Sequence, residues 1–482
     1  MNILMVTSET VPFSKSGGLA DVVGALSSAL FKLDNNVYVL MPCYKFIDLN
    51  GFSKVIATFN VNIGSSEEKV ELVSKDLNGV KYLALKNPMF TERNGIYGDT
   101  SFTPYSDNFV RYTLLAKSAL PACKALNVKP DIIHCHDWTV GFTPYFLKKS
   151  DDKFFAKTKS VFTIHNLAYQ GIYSKFDSLL ADVELDDKMF SGLGTEKQVN
   201  MLKTGIEFAD YVTTVSPTYA KEIQEKELGC NLDPILQERK DDLFGIINGI
   251  DYDEWNPETD ESFTHHYSSA DMEGKKKLKA EVQKEYGLEV NPDVPLISMI
   301  SRLAEQKGFD ELLFEGKTSA LETILKENKV QVIIIGTGDQ RIVDKLEELD
   351  EKYSNLSVNI LFSNKAAHRV EGASDFFLMP SRYEPCGLNQ LYSLRYGTLP
   401  IARKTGGLAD SIIDIDEDEE NGTGFLFSEM KSRAIIEEAS KAINMYYHNS
   451  ETISEMKYRS MCTDFTWDKS AEEYMIIYRR GI

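Results

Sequence analysis

Two positively charged side chains follow an apolar segment in the second half of the chain. Arg302 and Lys307 lie just after Leu296–Ile300, within Ser301–Gly308. If that segment is a strand of a parallel sheet, both cations lie in a loop at its carboxyl edge, where such sheets bind ligands. Arginine supplies a planar fork of donors and lysine a compact charge, so together they suit a diphosphate and the charge growing on a departing phosphate. The alternative is a pair of surface cations.

A carboxylate follows the next strongly apolar segment in the same way. Glu384 comes after Phe376–Met379 and just before an amphipathic run that begins at Leu388. At that position it could cap a helix. In a ligand site it could instead hydrogen-bond a sugar hydroxyl or stabilise developing positive charge, while the N–H groups of Gly387 and Leu388 face phosphate oxygens.

One heptapeptide occurs twice, as Lys15–Asp21 and, almost unchanged, as Lys404–Asp410. The first copy follows the apolar run Ile3–Val6 and opens a stretch with helical spacing of apolar residues. Gly17 and Gly18 therefore lie where a strand turns into a helix, and without Cβ atoms they leave the backbone N–H groups open to an anion. The second copy leads into an acidic run, and for it a tight structural turn and a ligand-facing turn both stay open.

Histidines and an aromatic residue close two further apolar segments. His134 and His136 should share one face of a strand, which makes zinc conceivable, but packed histidines fit that setting better. Asp137 and Trp138 combine a polar and an aromatic side chain, as sugar sites often do, and His165 ends the next segment. Four strand ends carrying polar groups predict a convergent ligand site.

The elements that must position these residues are short, uninterrupted apolar runs separated by stretches long enough for helices. Such runs are typical of strands buried on both faces, which predicts an α/β fold with parallel sheets. A boundary is expected near Ile247–Asp251, and the chain resumes with the strand at Leu296, so it divides into two Rossmann-like halves. The runs are Ile3–Val6, Val37–Met41, Ile132–Ile133, Val161–Ile164, Tyr211–Val215, Leu296–Ile300, Val332–Ile335 and Phe376–Met379.

Composition narrows the classes of function. The 482 residues exceed one usual core, and a net charge of -20 argues against nucleic acid or an anionic membrane as partner. Six scattered cysteines without CxxC spacing predict reduced thiols, and the lack of a signal-peptide pattern favours the cytoplasm. The acidic run Asp414–Glu420 lacks coordinating spacing and is interpreted as a solvated loop, and no metal site is predicted.

Taken in order, these motifs closely resemble bacterial glycogen synthases and plant starch synthases, which are retaining glucosyltransferases of the GT-B fold. The resemblance runs from KSGGLAD through GIYG, YSDNFVR, HCHDW, HNLAYQG, INGID, ISRLAEQKG, SRYEPCGL and RKTGGLAD to FTWDKSAEEY. It implies two Rossmann-like domains whose parallel sheets face each other across a cleft. Residues 1–247 would form the acceptor domain together with a crossover tail at 463–482, and 248–462 would bind the nucleotide sugar.

The implied reaction is transfer of glucose from ADP-glucose to the non-reducing 4-OH of an α-1,4-glucan such as glycogen or starch, without a cofactor. The residues expected to act in catalysis are Glu384, Arg302, Lys307, His165 and Asp21. Those expected to bind the donor are Lys15, Gly17, Gly18, Asn248, Phe362, Cys386, Gly387, Leu388 and Asn389. Those expected on the acceptor side are Asp137, Trp138 and Tyr97.

Several departures from the family pattern bear on substrate choice. Thr139 replaces the histidine usual after HDW, and Phe362 replaces the usual adenine-stacking tyrosine, so one hydroxyl is lost and the base preference stays open. Tyr392 stands where related transferases carry a second glutamate, which favours the glycogen and starch branch. The alternatives are a GT-B transferase that uses UDP-glucose or another sugar acceptor, and a catalytically silent glucan-binding protein. The resemblance places the protein in the cytoplasm, or in a plastid for a plant source, and leaves the oligomeric state open.

Overall fold

The computed structural model describes residues 1–99, 103–191, 197–361 and 363–480. The chain divides into two compact units, Met1–Gly249 with Trp467–Ile482, and Ile250–Thr466. The boundaries expected from sequence were 247 and 463. None of the helices in the described residues combines the length and apolar character needed to cross a bilayer.

The first unit is built on a nine-stranded sheet in the order β12-β11-β7-β6-β1-β2-β5-β4-β3. Strands β12 to β5 in that order run parallel, and β4 and β3 add an antiparallel edge that the apolar runs did not predict. A small antiparallel sheet has the order β8-β10-β9. The strands are β1 Asn2–Val6, β2 Asn36–Pro42, β3 Ala57–Ile63, β4 Ser66–Leu77, β5 Val80–Lys86, β6 Ile132–His136, β7 Lys159–Ile164, β8 Ile172–Tyr173, β9 Phe190–Ser191, β10 Gln198–Asn200, β11 Tyr211–Thr214 and β12 Leu243–Gly245.

Helices cover this sheet and connect its parallel strands. Helix α1, Gly18–Lys32, buries the face that was predicted from the spacing of its apolar residues, Leu19, Val22, Val23, Leu26 and Leu30. An acidic residue in its first turn and a basic residue in its last complement the helix dipole. The helices are α1 Gly18–Lys32, α2 Pro88–Thr91, α3 Asn108–Ala125, α4 Phe142–Lys149, α5 Lys175–Leu180, α6 Met201–Phe208, α7 Pro217–Glu222 and α8 Asp233–Glu238, with short 3-10 turns at Trp138–Val140, Lys153–Phe155 and Asp187–Met189.

The second unit contains six strands, which are β13 Leu296–Ile300, β14 Gln331–Ile335, β15 Leu356–Asn359, β16 Phe376–Met379, β17 Leu399–Arg403 and β18 Phe425–Phe427. They form a wholly parallel sheet in the order β15-β14-β13-β16-β17-β18. Its helices are α9 Glu273–Glu285, α10 Phe309–Leu313, α11 Ala320–Glu327, α12 Gln340–Lys352, α13 Asn364–Ala373, α14 Asn389–Arg395, α15 Gly406–Ser411, α16 Ser432–His448 and α17 Ser450–Cys462, with a 3-10 turn at Glu305–Lys307.

The last helix, α18 Trp467–Tyr478, returns to the first unit. Trp467, Tyr474 and Tyr478 pack in the same apolar cluster as Leu26 of α1. All eight apolar runs predicted as strands coincide with strands of the two large sheets, except that Val215 lies one residue past β11, and the α/β class is confirmed. The carboxyl ends of parallel strands therefore carry most of the candidate site residues.

Candidate functional site

In the second unit, Lys307 and Glu384 form an ion pair. The ammonium of Lys307 lies 2.5 Å from Oε2 of Glu384, and the hydroxyl of Ser381 donates to the same oxygen at 3.0 Å. Lys307 ends the 3-10 turn after β13, and Glu384 lies in the loop after β16. Because β13 and β16 are neighbours, residues 77 positions apart meet at one sheet edge. Glu384 is buried and Lys307 partly buried, so the carboxylate faces a cation and a hydroxyl rather than water.

Arg302 and Asn389 lie at the same sheet edge. Both line an open cavity with Lys307 and Ser381. Arg302 is exposed, and its guanidinium donates to the side chain of Gln306 at 3.2 Å, whereas the amide of Asn389 donates to the carbonyl of Ile300 at 3.3 Å. The structure thus brings together the predicted cations, the predicted carboxylate and the start of α14.

The loop after Glu384 reaches α14 through a left-handed glycine. Gly387 has φ of +71°, and a Cβ there would lie 2.3 Å from the side-chain oxygen of Gln390. Leu388 is the N-cap of α14, which receives no side-chain capping bond. The interpretation of Glu384 as a helix cap is therefore wrong, because its carboxylate is used by Lys307 and Ser381. Cys386 is buried beneath this loop.

The second heptapeptide copy is a structural turn that packs on the loop of Glu384. Gly406 has φ of +45°, and a Cβ on it would lie 1.9 Å from the carbonyl oxygen of Glu384. A Cβ on Gly407 would lie 2.1 Å from the carbonyl oxygen of Cys386, and the Gly407 N–H donates to Glu384 at 3.1 Å. Both glycines are buried, so they serve close backbone packing, and of the two alternatives the structure favours the structural turn.

The first copy has different surroundings in the first unit. Gly17 is the extended N-cap of α1, is exposed, and a Cβ built on it would meet nothing within 4 Å. Protein packing therefore does not explain this glycine. Lys15 lies beside it and pairs with Asp21 at 2.7 Å, while burial raises the pKa of Asp21 and Lys15 partly opposes that rise. Gly18 is the first residue of α1.

Glu9, which no sequence motif predicted as a site residue, organises this turn. Its carboxylate accepts bonds from the backbone N–H of Ser16, from the Ser16 hydroxyl at 2.9 Å and from the hydroxyl of Tyr97 at 2.7 Å. Glu9 is buried, and this burial raises its pKa. Its position in the polar segment directly after β1 could have identified it as a candidate site residue, because ligands bind at the carboxyl ends of parallel strands.

Asp137 holds the loop that carries His165. Its Oδ1 accepts the backbone N–H of His165 at 2.8 Å, and the N–H of Asn166 also donates to the carboxylate. Burial raises the pKa of Asp137 to about 7, although the two hydrogen bonds lower it. Asp137 has φ of 62° and ψ of -179°, a region that essentially only glycine occupies, and such strain clusters at functional sites.

The aromatic residues predicted on the acceptor side lie in a cluster. The ring of Trp138 lies 6.1 Å from that of Tyr97 and 5.2 Å from that of Tyr112, measured between centroids. A Cβ on Gly171 would lie 2.4 Å from the indole. Trp138 is partly buried, so only part of its ring can face a ligand.

Three histidines meet at the carboxyl ends of β6 and β7. The rings of His134 and His136 lie 4.1 Å apart on one face of β6, as predicted, and Nδ1 of His136 lies 3.1 Å from Nε2 of His165. Both ring nitrogens of His134 are engaged, with the hydroxyls of Thr163 and Tyr478. His134 is thus a packed histidine. Burial lowers the pKa of His134 and of His165 to about 3.

Asn248 and Phe362 are the other two residues expected to bind the donor. Asn248 is buried, and its Oδ1 has no hydrogen-bond partner among the described residues. An unsatisfied buried oxygen is costly and calls for a ligand or water. Phe362 lies outside the described residues.

The acidic run is not purely a solvated loop. The carboxylates of Asp414, Asp416 and Glu438 lie within 4.8 Å of one another, and Lys441 pairs with Asp416 at 2.6 Å and with Glu438. Glu438 comes from α16, so spacing within the run could not reveal the group. An ammonium already supplies positive charge there.

Comparisons with known proteins cover the whole chain. Residues 2–238 match the family described as starch synthase catalytic domain, and residues 283–460 match glycosyl transferases group 1. A glycogen synthase of Treponema denticola is 40% identical, with 100% of this chain and 99% of that protein covered. A glycogen synthase of Geotalea daltonii is 41% identical, with 99% and 98% covered.

Two solved structures are similar. The catalytic domain of starch synthase IV from Arabidopsis thaliana, bound to ADP and acarbose, superposes with a TM-score of 0.88 at 29% identity, with 99% of each chain covered. A sucrose-phosphate synthase from Thermosynechococcus elongatus gives a TM-score of 0.60 at 15% identity, with 99% of this chain and 98% of that chain covered, and shares the fold alone.

Proposed function

Because the chain belongs to the glycogen and starch synthase family, we propose that it transfers glucose from ADP-glucose to the non-reducing 4-OH of an α-1,4-glucan with retention of configuration. Membership makes it a glucosyltransferase. The donor base, the acceptor and the roles of individual residues are the parts that we propose here.

The observation that carries the proposal is the cluster at the edge of the second unit's sheet. Arg302 and Lys307 line one cavity, and Glu384 contacts Lys307 directly. Arg302 is exposed and can turn its planar donors to a diphosphate. Lys307 has three donor hydrogens, so it can keep its bond to Glu384 while contacting a phosphate oxygen. The N–H groups of Leu388 and Asn389 face the same phosphates.

Residues of the first unit complete the assignment of roles. Gly17 leaves open space at the N-terminus of α1, where N–H groups and the helix dipole attract a phosphate, and Lys15 adds charge. His165 and Asn248 contact the transferred glucose, the latter through its unsatisfied Oδ1. Asp137, Trp138 and Tyr97 lie toward the acceptor.

Charge determines the course of the reaction. The bond between C1 of glucose and the β-phosphate oxygen breaks, and the electron pair leaves with ADP toward Arg302 and Lys307. Glu384 stabilises the positive charge that develops on the sugar. The acceptor 4-OH forms the new bond to C1 from the leaving-group face, and its proton passes to the departing phosphate. Arg302 and Lys307 supply the charge that a divalent metal supplies in other transferases, so we propose that transfer needs no added metal.

The test is transfer of radiolabelled glucose to glycogen from ADP-glucose and from UDP-glucose in parallel, with and without EDTA. We expect incorporation from ADP-glucose that EDTA does not reduce. Preference for UDP-glucose would correct the donor base, and loss of activity in EDTA would correct the metal assignment. Absence of transfer from either donor by folded protein would contradict the proposed reaction and leave a glucan-binding protein or a different acceptor.

A further inference from the structure

A contact between two imidazoles connects β6 to the proposed glucose site in the first unit. Nδ1 of His136 and Nε2 of His165 lie 3.1 Å apart. Burial lowers the pKa of both rings, and in His136 it does so strongly. Two neutral imidazoles at this distance share one proton, so one ring donates and the other accepts.

The surroundings of the far nitrogens distinguish the two arrangements. Nε2 of His136 is buried and has no hydrogen-bond partner among the described residues. If His165 donated, His136 would carry its proton on that nitrogen, leaving a buried N–H without an acceptor. Orphaned buried N–H groups are rare in proteins. If His136 donates from Nδ1, the unpartnered atom is only a lone pair.

The donating arrangement also determines the chemistry of His165. With its Nε2 accepting from His136, the neutral ring of His165 must carry its proton on Nδ1. In the described part of the chain no residue hydrogen-bonds that Nδ1, and it is not among the fully buried atoms without a partner. An N–H is therefore available to a ligand at this point.

We propose that His136 is a positioning residue that holds His165 as the Nδ1–H tautomer, so that His165 presents a hydrogen-bond donor to an oxygen of the bound sugar. The sugar part of this inference rests on the proposed function. The tautomer part does not.

Both rings are held in place independently of a substrate. The ring of His136 packs on that of His134, which Thr163 and Tyr478 fix through both of its nitrogens at 2.6 and 2.7 Å. The main chain of His165 is fixed by the carboxylate of Asp137. A pair anchored in this way favours one tautomer before the ligand arrives, which avoids reorganisation during the reaction.

The direct test is nitrogen NMR of the free full-length protein labelled with ¹⁵N-histidine. The chain has seven histidines, and the signals lost in His136→Asn and His165→Asn proteins assign the two rings. We expect both rings to be neutral at pH 7 and protonated on Nδ1. A His165 signal typical of the Nε2–H tautomer would overturn the proposal. Because no substrate is present, failure of the proposed glucosyl transfer cannot produce that result.

The kinetic test compares two substitutions at one position. Asparagine places an amide donor near the position of Nδ1, whereas leucine fills a similar volume without a donor. We expect His136→Leu to lower kcat at least tenfold with little change in ADP affinity, and His136→Asn to stay within about threefold of wild type. Cys135→Ala is the matched control, because Cys135 is buried on the opposite face of the same strand, and this variant should lower the melting temperature while changing kcat less than threefold. Equal losses in His136→Leu and His136→Asn would show that His136 only packs.

Discussion

Lys307 and Glu384 are 77 positions apart in sequence, and yet the ammonium of one lies 2.5 Å from the carboxylate of the other. The first unit repeats this arrangement, because Lys15 pairs with Asp21 at 2.7 Å. In each unit a lysine proposed to bind phosphate pairs with a carboxylate expected to act in catalysis. The charge that attracts the leaving group thus also holds the carboxylate in place.

Glu384→Gln should test the carboxylate at nearly constant shape. We expect kcat to fall by about 10² to 10⁴, because the amide cannot stabilise positive charge on the sugar, while ADP binding stays near normal. Steady-state kinetics together with calorimetric ADP titration measures both quantities. Glu327→Gln removes an exposed carboxylate on α11 of the same unit and serves as the control. Unchanged turnover in Glu384→Gln would restrict Glu384 to orienting Lys307.

Lys307→Ala should affect binding and turnover together. The change removes a phosphate contact and leaves Glu384 as a mostly buried, unpaired carboxylate, so we expect weaker ADP-glucose binding, lower kcat and a stability loss of roughly 1 to 3 kcal/mol. The double variant Lys307→Ala with Glu384→Ala should regain part of that stability, since no unpaired charge remains. Normal kinetics in the single variant would remove Lys307 from the leaving-group role.

The two heptapeptide copies should respond oppositely to the same substitution. Gly17→Ala meets open space, so we expect stability to change by no more than about 1 kcal/mol and KM for ADP-glucose to rise at least tenfold. Gly406→Ala, at the corresponding position of the second copy, places a Cβ 1.9 Å from the carbonyl oxygen of Glu384, so we expect a stability loss of about 1 to 3 kcal/mol or more. Thermal unfolding and initial rates on both variants provide the comparison. A Gly17→Ala enzyme with wild-type KM would show that no phosphate approaches this turn.

Glu371 should make the stability of the protein depend on pH. Its side chain is fully buried, and its Oε2 has no hydrogen-bond partner among the described residues. Burial raises the pKa of Glu371 to about 8, although the hydrogen bond from Ser393 lowers it. Between its unfolded pKa near 4.5 and 8, the folded state keeps the proton that the unfolded state releases, so stability falls as pH rises through this window.

Glu371→Gln removes this titration. The unfolding free energy of the variant relative to wild type should therefore rise from pH 4.5 to 8, by an amount on the order of a few kcal/mol. Urea unfolding at several pH values measures the difference, and any constant penalty for the buried amide cancels in the slope. Glu327→Gln, at an exposed position on α11, should keep the wild-type slope. A difference that does not vary with pH would mean that Glu371 is ionised in the folded protein.

The α/β class could be predicted from the sequence because buried parallel strands must be apolar on both faces. Runs such as Leu296–Ile300 and Phe376–Met379 can therefore be recognised as strands from their composition, and the polar residues after each run lie at the ligand-binding edge of the sheet. The antiparallel strands Ala57–Ile63 and Ser66–Leu77 escaped prediction because neither is a continuous apolar run. The first has exposed polar residues between its apolar ones, and the second carries six charged residues. Ordered motifs identified the family, since none of them depends on knowing where its residues meet.

Only the tertiary structure decided which residues are partners. Seven nearly identical residues form an open turn at Gly17 and a packed turn at Gly406, because the second copy lies against the backbone of Glu384 and Cys386, whereas a Cβ on Gly17 would meet nothing within 4 Å. Likewise, Glu9 and His136 owe their significance to contacts across 7 and 29 positions. Hydrogen bonds and close packing act over a few ångströms in space, and sequence spacing specifies such distances only within one helix or strand.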